Sequence, residues 1–268
     1  MRALTGIVVM ILTALCGCYH FPPAKNVPPR HETVVCVHGL FRTVVSMKPM
    51  AQALAAEGYD VHVVRYLSTR QTVTEHIAGF EERLAALNIT ADDQPIHFVT
   101  YSLGGIVVRG YLAEHPDDPR FGRVVMIAPP NQGSAWADRV FNIPLVPLMV
   151  EPITGLRTEY KGVVEALGTP VGREVGVIAG GLNDGRGFAS TVEGDDDGIV
   201  TVAATHLAGE KDHIVLPYRH HGIAEQPAVI AQAVGFIKTG RFRHRVTEGA
   251  EGGMVRRRSH KGHEGHKG

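Results

Sequence analysis

The stretch "FVTYSLGGIVVRGY", residues 98–111, changes character in its middle. A β-branched apolar run ends at Tyr101, a lone serine follows, and from Leu103 onward the chain reads as a helix. Ser102 therefore has two readings. Its hydroxyl can cap the helix N-terminus, a structural role. Alternatively, a tight strand–turn–helix corner can hold it out as a nucleophile, with the glycines at 104 and 105 letting helix and strand pack closely. In that second reading the Leu103 N–H, at the helix N-terminus, can donate to a developing oxyanion.

Working outward from this corner, Val/Ile-rich runs alternate with helical patterns. The runs are "TVVCVHG" (33–39), "VHVVRY" (61–66), "IHFVTY" (96–101), "RVVMIAP" (123–129), "EVGVIAG" (174–180) and "HIVLPY" (213–218), and the last helix reads "PAVIAQAVGFIK". They are nearly continuous rather than strictly alternating, as expected for strands covered on both faces. The pattern predicts an α/β fold with a mostly parallel sheet and helices on both faces. Between the fourth and fifth of these strands, residues 131–173 are too long for a simple connection and predict an insertion with elements of its own. Its apolar residues Trp136, Phe141, Leu145, Leu148 and Met149 either line a pocket as a cap or pack as an ordinary excursion onto the core.

Other segments offer chemistry at strand ends. His38-Gly39-Leu40-Phe41-Arg42 follows the first strand of the folded region, where a loop N–H from Leu40, or else Phe41, can join the Leu103 N–H as an oxyanion donor. His38 itself reads as an orienting residue. The run Asp195-Asp196-Asp197-Gly198 is an acidic solvated loop, a calcium loop, or the source of a carboxylate that orients a base, and Asp197, with Ile199 and Val200 after it, suits the last reading best. His220 and His221 lie between the final strand and the final helix, whereas His213 precedes its strand at the opposite sheet edge. Asn131-Gln132-Gly133-Ser134, at another strand end, is expected to shape a pocket.

The ordered set "HGLFR", "TYSLGG", "APPNQGS", "DDDGIV" and "HHGIAEQPAVIAQAVGFIKTGRF" resembles the α/β-hydrolase superfamily, in particular its bacterial esterase/lipase-like members, over roughly residues 33–242. The resemblance implies an α/β-hydrolase fold with a short cap or lid insertion. It implies Ser102 as nucleophile, His220 as general base, Asp197 as its partner, and the N–H groups of Leu40 and Leu103 as the oxyanion hole. Such a serine hydrolase cleaves small-molecule ester or lipid substrates and needs no metal or organic cofactor. The same triad would serve an envelope acyltransferase, and a non-catalytic lipoprotein could use the fold to bind a partner. Two positions depart from the family pattern: Thr100, where the first glycine of the elbow is usual, and Tyr101, where His is frequent.

Composition bounds the remaining possibilities. The 27 basic residues balance 27 acidic ones, which gives no electrostatic footprint for nucleic acid. Residues 1–17 carry Arg2 and an apolar run from Ile7 to Leu15, too short to span a bilayer and suited to a signal peptide. Leu15-Cys16-Gly17-Cys18 resembles a bacterial lipobox, which implies lipidation of Cys18 and a membrane anchor in the cell envelope. Residues 18–32, rich in proline, read as an extended tether. Cys36 lies in an apolar run as a small core residue. Residues 243–268 read as a disordered basic tail, since from Arg241 onward eight Lys/Arg stand against three Glu.

Overall fold

The computed structural model describes residues 18–90, 94–158, 163–170, 172–190 and 192–244. The expected signal segment (1–17) and all but the first two residues of the expected tail lie outside the described residues. The strands are β1 (Tyr19–Phe21), β2 (Thr33–Val37), β3 (Asp60–Val64), β4 (Ile96–Tyr101), β5 (Phe121–Ile127), β6 (Val175–Gly180) and β7 (Asp212–Leu216). The helices are α1 (Lys48–Ala56), α2 (Val73–Ala78), α3 (Phe80–Ala85), α4 (Leu103–Glu114), α5 (Ala135–Phe141), α6 (Val146–Met149), α7 (Pro152–Gly155), α8 (Val163–Ala166), α9 (Val202–Thr205) and α10 (Pro227–Thr239).

The sheet runs β1-β3-β2-β4-β5-β6-β7, parallel except where β1 pairs antiparallel with β3. Every residue of β2, β4 and β6 is buried, which is why these strands read as unbroken apolar runs. The period-2 alternation divides them between two cores. Val35, Val37 and Phe98 face Ile77, Phe80 and Ile106 of α2 to α4, while Val34, Cys36 and Val99 face Met50 and Leu54 of α1 and Phe236 of α10. Burial pushes the Cys36 thiol up to about 12.

From β2 the chain moves to β3 on one side and then to β4 on the other. The order thus reverses between β2 and β4, and the crevice at their C-terminal ends is where an α/β sheet presents its ligand site. The loops after those two strands carry His38–Arg42 and Ser102.

The expected tether is instead fastened to the body. Tyr19, His20 and Phe21 pair with Val63, His62 and Val61. Farther along, Ala24 N–H donates to the Ala55 carbonyl and Arg30 N–H to the Gly58 carbonyl, while the Arg30 guanidinium reaches the Glu57 carbonyl and lies over the Tyr59 ring. At the other end, Arg243 N–H donates to Gln232 and His244 bonds to Asp212, so the chain stays attached through the first two residues of the expected tail.

Candidate active site

The backbone at Ser102 has φ +52° and ψ −123°, a conformation that costs a non-glycine residue on the order of 1–3 kcal/mol. Its side chain makes no capping bond to α4, contrary to the N-cap reading. Instead the corner is held by Ser102 N–H donating to the Ile127 carbonyl (2.9 Å) and Gly105 N–H donating to the Ser102 carbonyl (2.8 Å).

The glycines make the corner possible. A Cβ on Gly104 would stand 2.6 Å from the carbonyl oxygens of Val37 and His38, so α4 packs here against bare backbone of β2. One on Gly105 would meet Met126 Cε at 3.0 Å and Thr100 Oγ1 at 3.2 Å. The bulk that Thr100 brings to the elbow is therefore accommodated by the absence of a side chain at 105. Thr100 itself is fully buried and donates to the Val125 carbonyl.

His220 reaches Ser102 from the loop after β7, with Nε2 3.0 Å from Oγ. Its Nδ1 lies 2.6 Å from Asp197 Oδ2. An ionised carboxylate only accepts, so Nδ1 carries the proton and the Nε2 lone pair faces the serine hydroxyl. The other Asp197 oxygen accepts from the N–H groups of Ile199 (2.9 Å) and Val200 (2.8 Å), and the Asp197 carbonyl accepts from His220 N–H at 2.8 Å. Ser102, Asp197 and His220 are all buried.

The three consecutive aspartates have separate tasks. Asp195 accepts from Leu182 and Asn183 N–H and fastens the loop after β6. Asp196, fully buried, accepts from Ala189 and Gly198 N–H. Asp197 alone turns toward His220. His221 is exposed, makes an edgewise ring contact with its neighbour and also lines the pocket beside Ser102.

Tyr101 accounts for the second departure. Its hydroxyl donates to the His220 carbonyl at 2.7 Å, and its ring lies against the imidazole with centroids 5.3 Å apart. Burial pushes this phenol up to about 12, so it remains a donor. The residue that precedes Ser102 thus holds the loop that carries the histidine.

Leu40 and Ser102 line one pocket, and Leu103 begins α4, where an N–H has no intrahelical acceptor. The approach to Leu40 is fixed from behind. His38 is buried with Nδ1 3.0 Å from the Gly39 carbonyl, its ring stacks on Tyr66, and the Tyr66 hydroxyl donates to the His38 carbonyl. Burial lowers the His38 pKa, which keeps the ring neutral. His38 is thereby held against the backbone that leads into Leu40.

The pocket holds about 510 Å³ of empty space, part of it open to solvent, and its walls are mainly apolar, including Leu40, Trp136, Leu156 and Val200. Ser134 also lines it and donates to the Ile199 carbonyl. From the insertion, Trp136 faces the pocket, Phe141 packs on the core under the Arg157 guanidinium, and Leu145, Leu148 and Met149 are exposed. Sequence reasoning missed the anchor of this insertion. Arg109 of α4 is buried and donates to the carbonyls of Asn131, Leu167 and Gly168, tying both ends of the insertion to the helix that follows Ser102.

Comparison with known proteins agrees with this architecture. No curated protein sequence matches the chain. Among solved structures, it is similar to a Bacillus licheniformis lipase in its mature form (TM-score 0.62, 18% identity, 77% of this chain and 92% of that one). It is also similar to a metagenomic carboxyl esterase (TM-score 0.57, 20% identity, 74% and 66%). A putative thioesterase from Silicibacter shares the fold as well (TM-score 0.54, 20% identity, 82% and 80%). At these identities the likeness concerns the fold. The sequence model of the alpha/beta hydrolase family matches residues 34–233, which takes in both the elbow and the histidine loop. The chain belongs to the alpha/beta hydrolase family.

Proposed function

We propose that the chain is a serine hydrolase that cleaves carboxylic esters of apolar acyl groups through an acyl-enzyme on Ser102. The observation that carries the reading is the hydrogen-bonded line from Asp197 through His220 to Ser102 at the wall of an apolar pocket. His220 Nε2 takes the hydroxyl proton as Ser102 Oγ attacks the ester carbonyl, and Asp197 stabilises the imidazolium that forms. The N–H groups of Leu40 and Leu103 receive the oxyanion. When the tetrahedral intermediate collapses, the alcohol leaves with the proton from His220. Water, deprotonated by the same nitrogen, then releases the acid and restores the serine.

The same reading places the protein in the cell envelope, anchored by acyl chains on Cys18. Because residues 19–31 are fastened to the body, such an anchor would hold the domain close to the membrane surface rather than at the end of a tether. Hydrolysis of p-nitrophenyl esters across a series of acyl chain lengths tests the substrate class. Turnover should favour acyl groups long enough to occupy the pocket beside Trp136 and Leu156, and inactivity at every length would overturn the proposal. Incorporation of a fatty-acid probe, lost in Cys18→Ser, tests the anchor.

A further inference from the structure

At the sheet edge remote from the Ser102 crevice, His20 of β1 and His62 of β3 are direct cross-strand partners. Asp60 lies two residues before His62, hence on the same face of the strand. Both imidazoles aim Nε2 at this one carboxylate: His20 Nε2 is 2.6 Å from Oδ1 and His62 Nε2 is 3.0 Å from Oδ2. The two rings stack with centroids 4.7 Å apart and planes 18° from parallel. The three ligand atoms all lie within 4.8 Å of one another.

We propose that His20, Asp60 and His62 form a binding site for a borderline divalent cation of the zinc type, which bolts the N-terminal strand to the sheet. Two imidazole nitrogens and one carboxylate oxygen are a donor set that such cations accept. Alkaline-earth ions, which need about six or more oxygens, are not served by a single carboxylate. In a tetrahedron with bonds of about 2.0–2.2 Å, neighbouring donor atoms stand roughly 3.3 Å apart, so small side-chain rotations suffice to admit the ion. Each imidazole then carries its proton on Nδ1 and offers Nε2 to the metal. The ion would take the place of the protons now shared with Asp60, and the exposed side, where His20 is half open to solvent, leaves the fourth position to water.

The energetic sense of the site lies in β1. β1 is a three-residue edge strand whose residues are mostly exposed, and a metal ligated from both strands would add to the hold that its pairing with β3 supplies. Another trio, His206, Glu210 and His213, is less suited. There His213 Nε2 bonds to the Thr205 hydroxyl, a group outside the trio, so an ion taken up at that nitrogen would break a bond to a partner that cannot join it as a ligand of the trio.

Because the chain carries 15 histidines, the test must read individual residues. The full chain is treated with a histidine-acylating reagent with and without Zn²⁺, and modification of each histidine is followed by mass spectrometry. At about ten times the dissociation constant, zinc should slow modification of His20 and His62 roughly tenfold. Protection at His20 should be lost in His62→Ala and in Asp60→Asn, each checked for folding by circular dichroism, and retained in His206→Ala. Equal modification of His20 with and without zinc would overturn the proposal, as would protection that persists in both Asp60→Asn and His62→Ala.

Discussion

Replacing Tyr101 by Phe removes one oxygen and keeps the ring that lines the pocket. The His220 carbonyl then loses its 2.7 Å donor and retains only a 3.4 Å contact from the Ile223 N–H. A buried carbonyl deprived of its main partner costs about 1–2 kcal/mol. In a domain of this size each kcal/mol lowers Tm by about 2–4 °C. The same bond holds the backbone of the residue whose imidazole stands 3.0 Å from Ser102 Oγ. Should the loosened loop cost about 1.4 kcal/mol in the transition state, kcat falls about tenfold. KM should stay constant, because the pocket wall is unchanged. The assay is steady-state hydrolysis of a p-nitrophenyl ester by wild type and Tyr101→Phe, with thermal unfolding of both. A variant with wild-type kcat and Tm would refute the positioning role, and so would a loss confined to KM.

Three other outcomes are expected. Gly104→Ala drives a methyl against the His38 and Val37 carbonyls and should lose about 1–3 kcal/mol by urea unfolding. Gly105→Ala should lose less, and a double-mutant cycle with Thr100→Ala should show coupling of about 0.5 kcal/mol or more, since each side chain occupies the other's space. Asp197→Asn should lower kcat by about 10³–10⁴ through the wrong imidazole tautomer, whereas Asp196→Asn should lower stability by about 1 kcal/mol with kcat nearly unchanged. Finally, burial of His76 and the nearby Arg83 charge hold its pKa down, at about 4, so below its ordinary value the unfolded chain binds a proton that the folded chain refuses. Stability should therefore fall as pH drops from about 6.5 to about 4, by up to about 1.4 kcal/mol per pH unit, and His76→Gln should flatten that slope in urea unfolding.

The convergence of Ser102, Asp197 and His220 is legible in the sequence because each lies beyond the C-terminal end of an apolar strand run and the parallel sheet carries all three to one edge. The parallel sheet is legible for the same reason. Residues 19–21 are not: three mostly exposed residues amid prolines have no periodicity, and only the pairing with β3 gives them structure. Nor is the tie from Tyr101 to His220, which joins positions 119 residues apart. Thr100 looks like a defect in the elbow until the space left by Gly105 is known. The insertion is legible as an insertion, but its attachment through Arg109, a charged side chain that follows an apolar run in α4, is not.

The claim on which the account rests is that Ser102 is the nucleophile. A fluorophosphonate reacted with the intact chain, followed by peptide mass spectrometry and ester hydrolysis, tests it most directly. One phosphonyl group should be found on Ser102 with activity lost in proportion, and Ser102→Ala should neither label nor turn over ester. Label on another residue, or a Ser102→Ala variant that keeps wild-type hydrolysis, would contradict it.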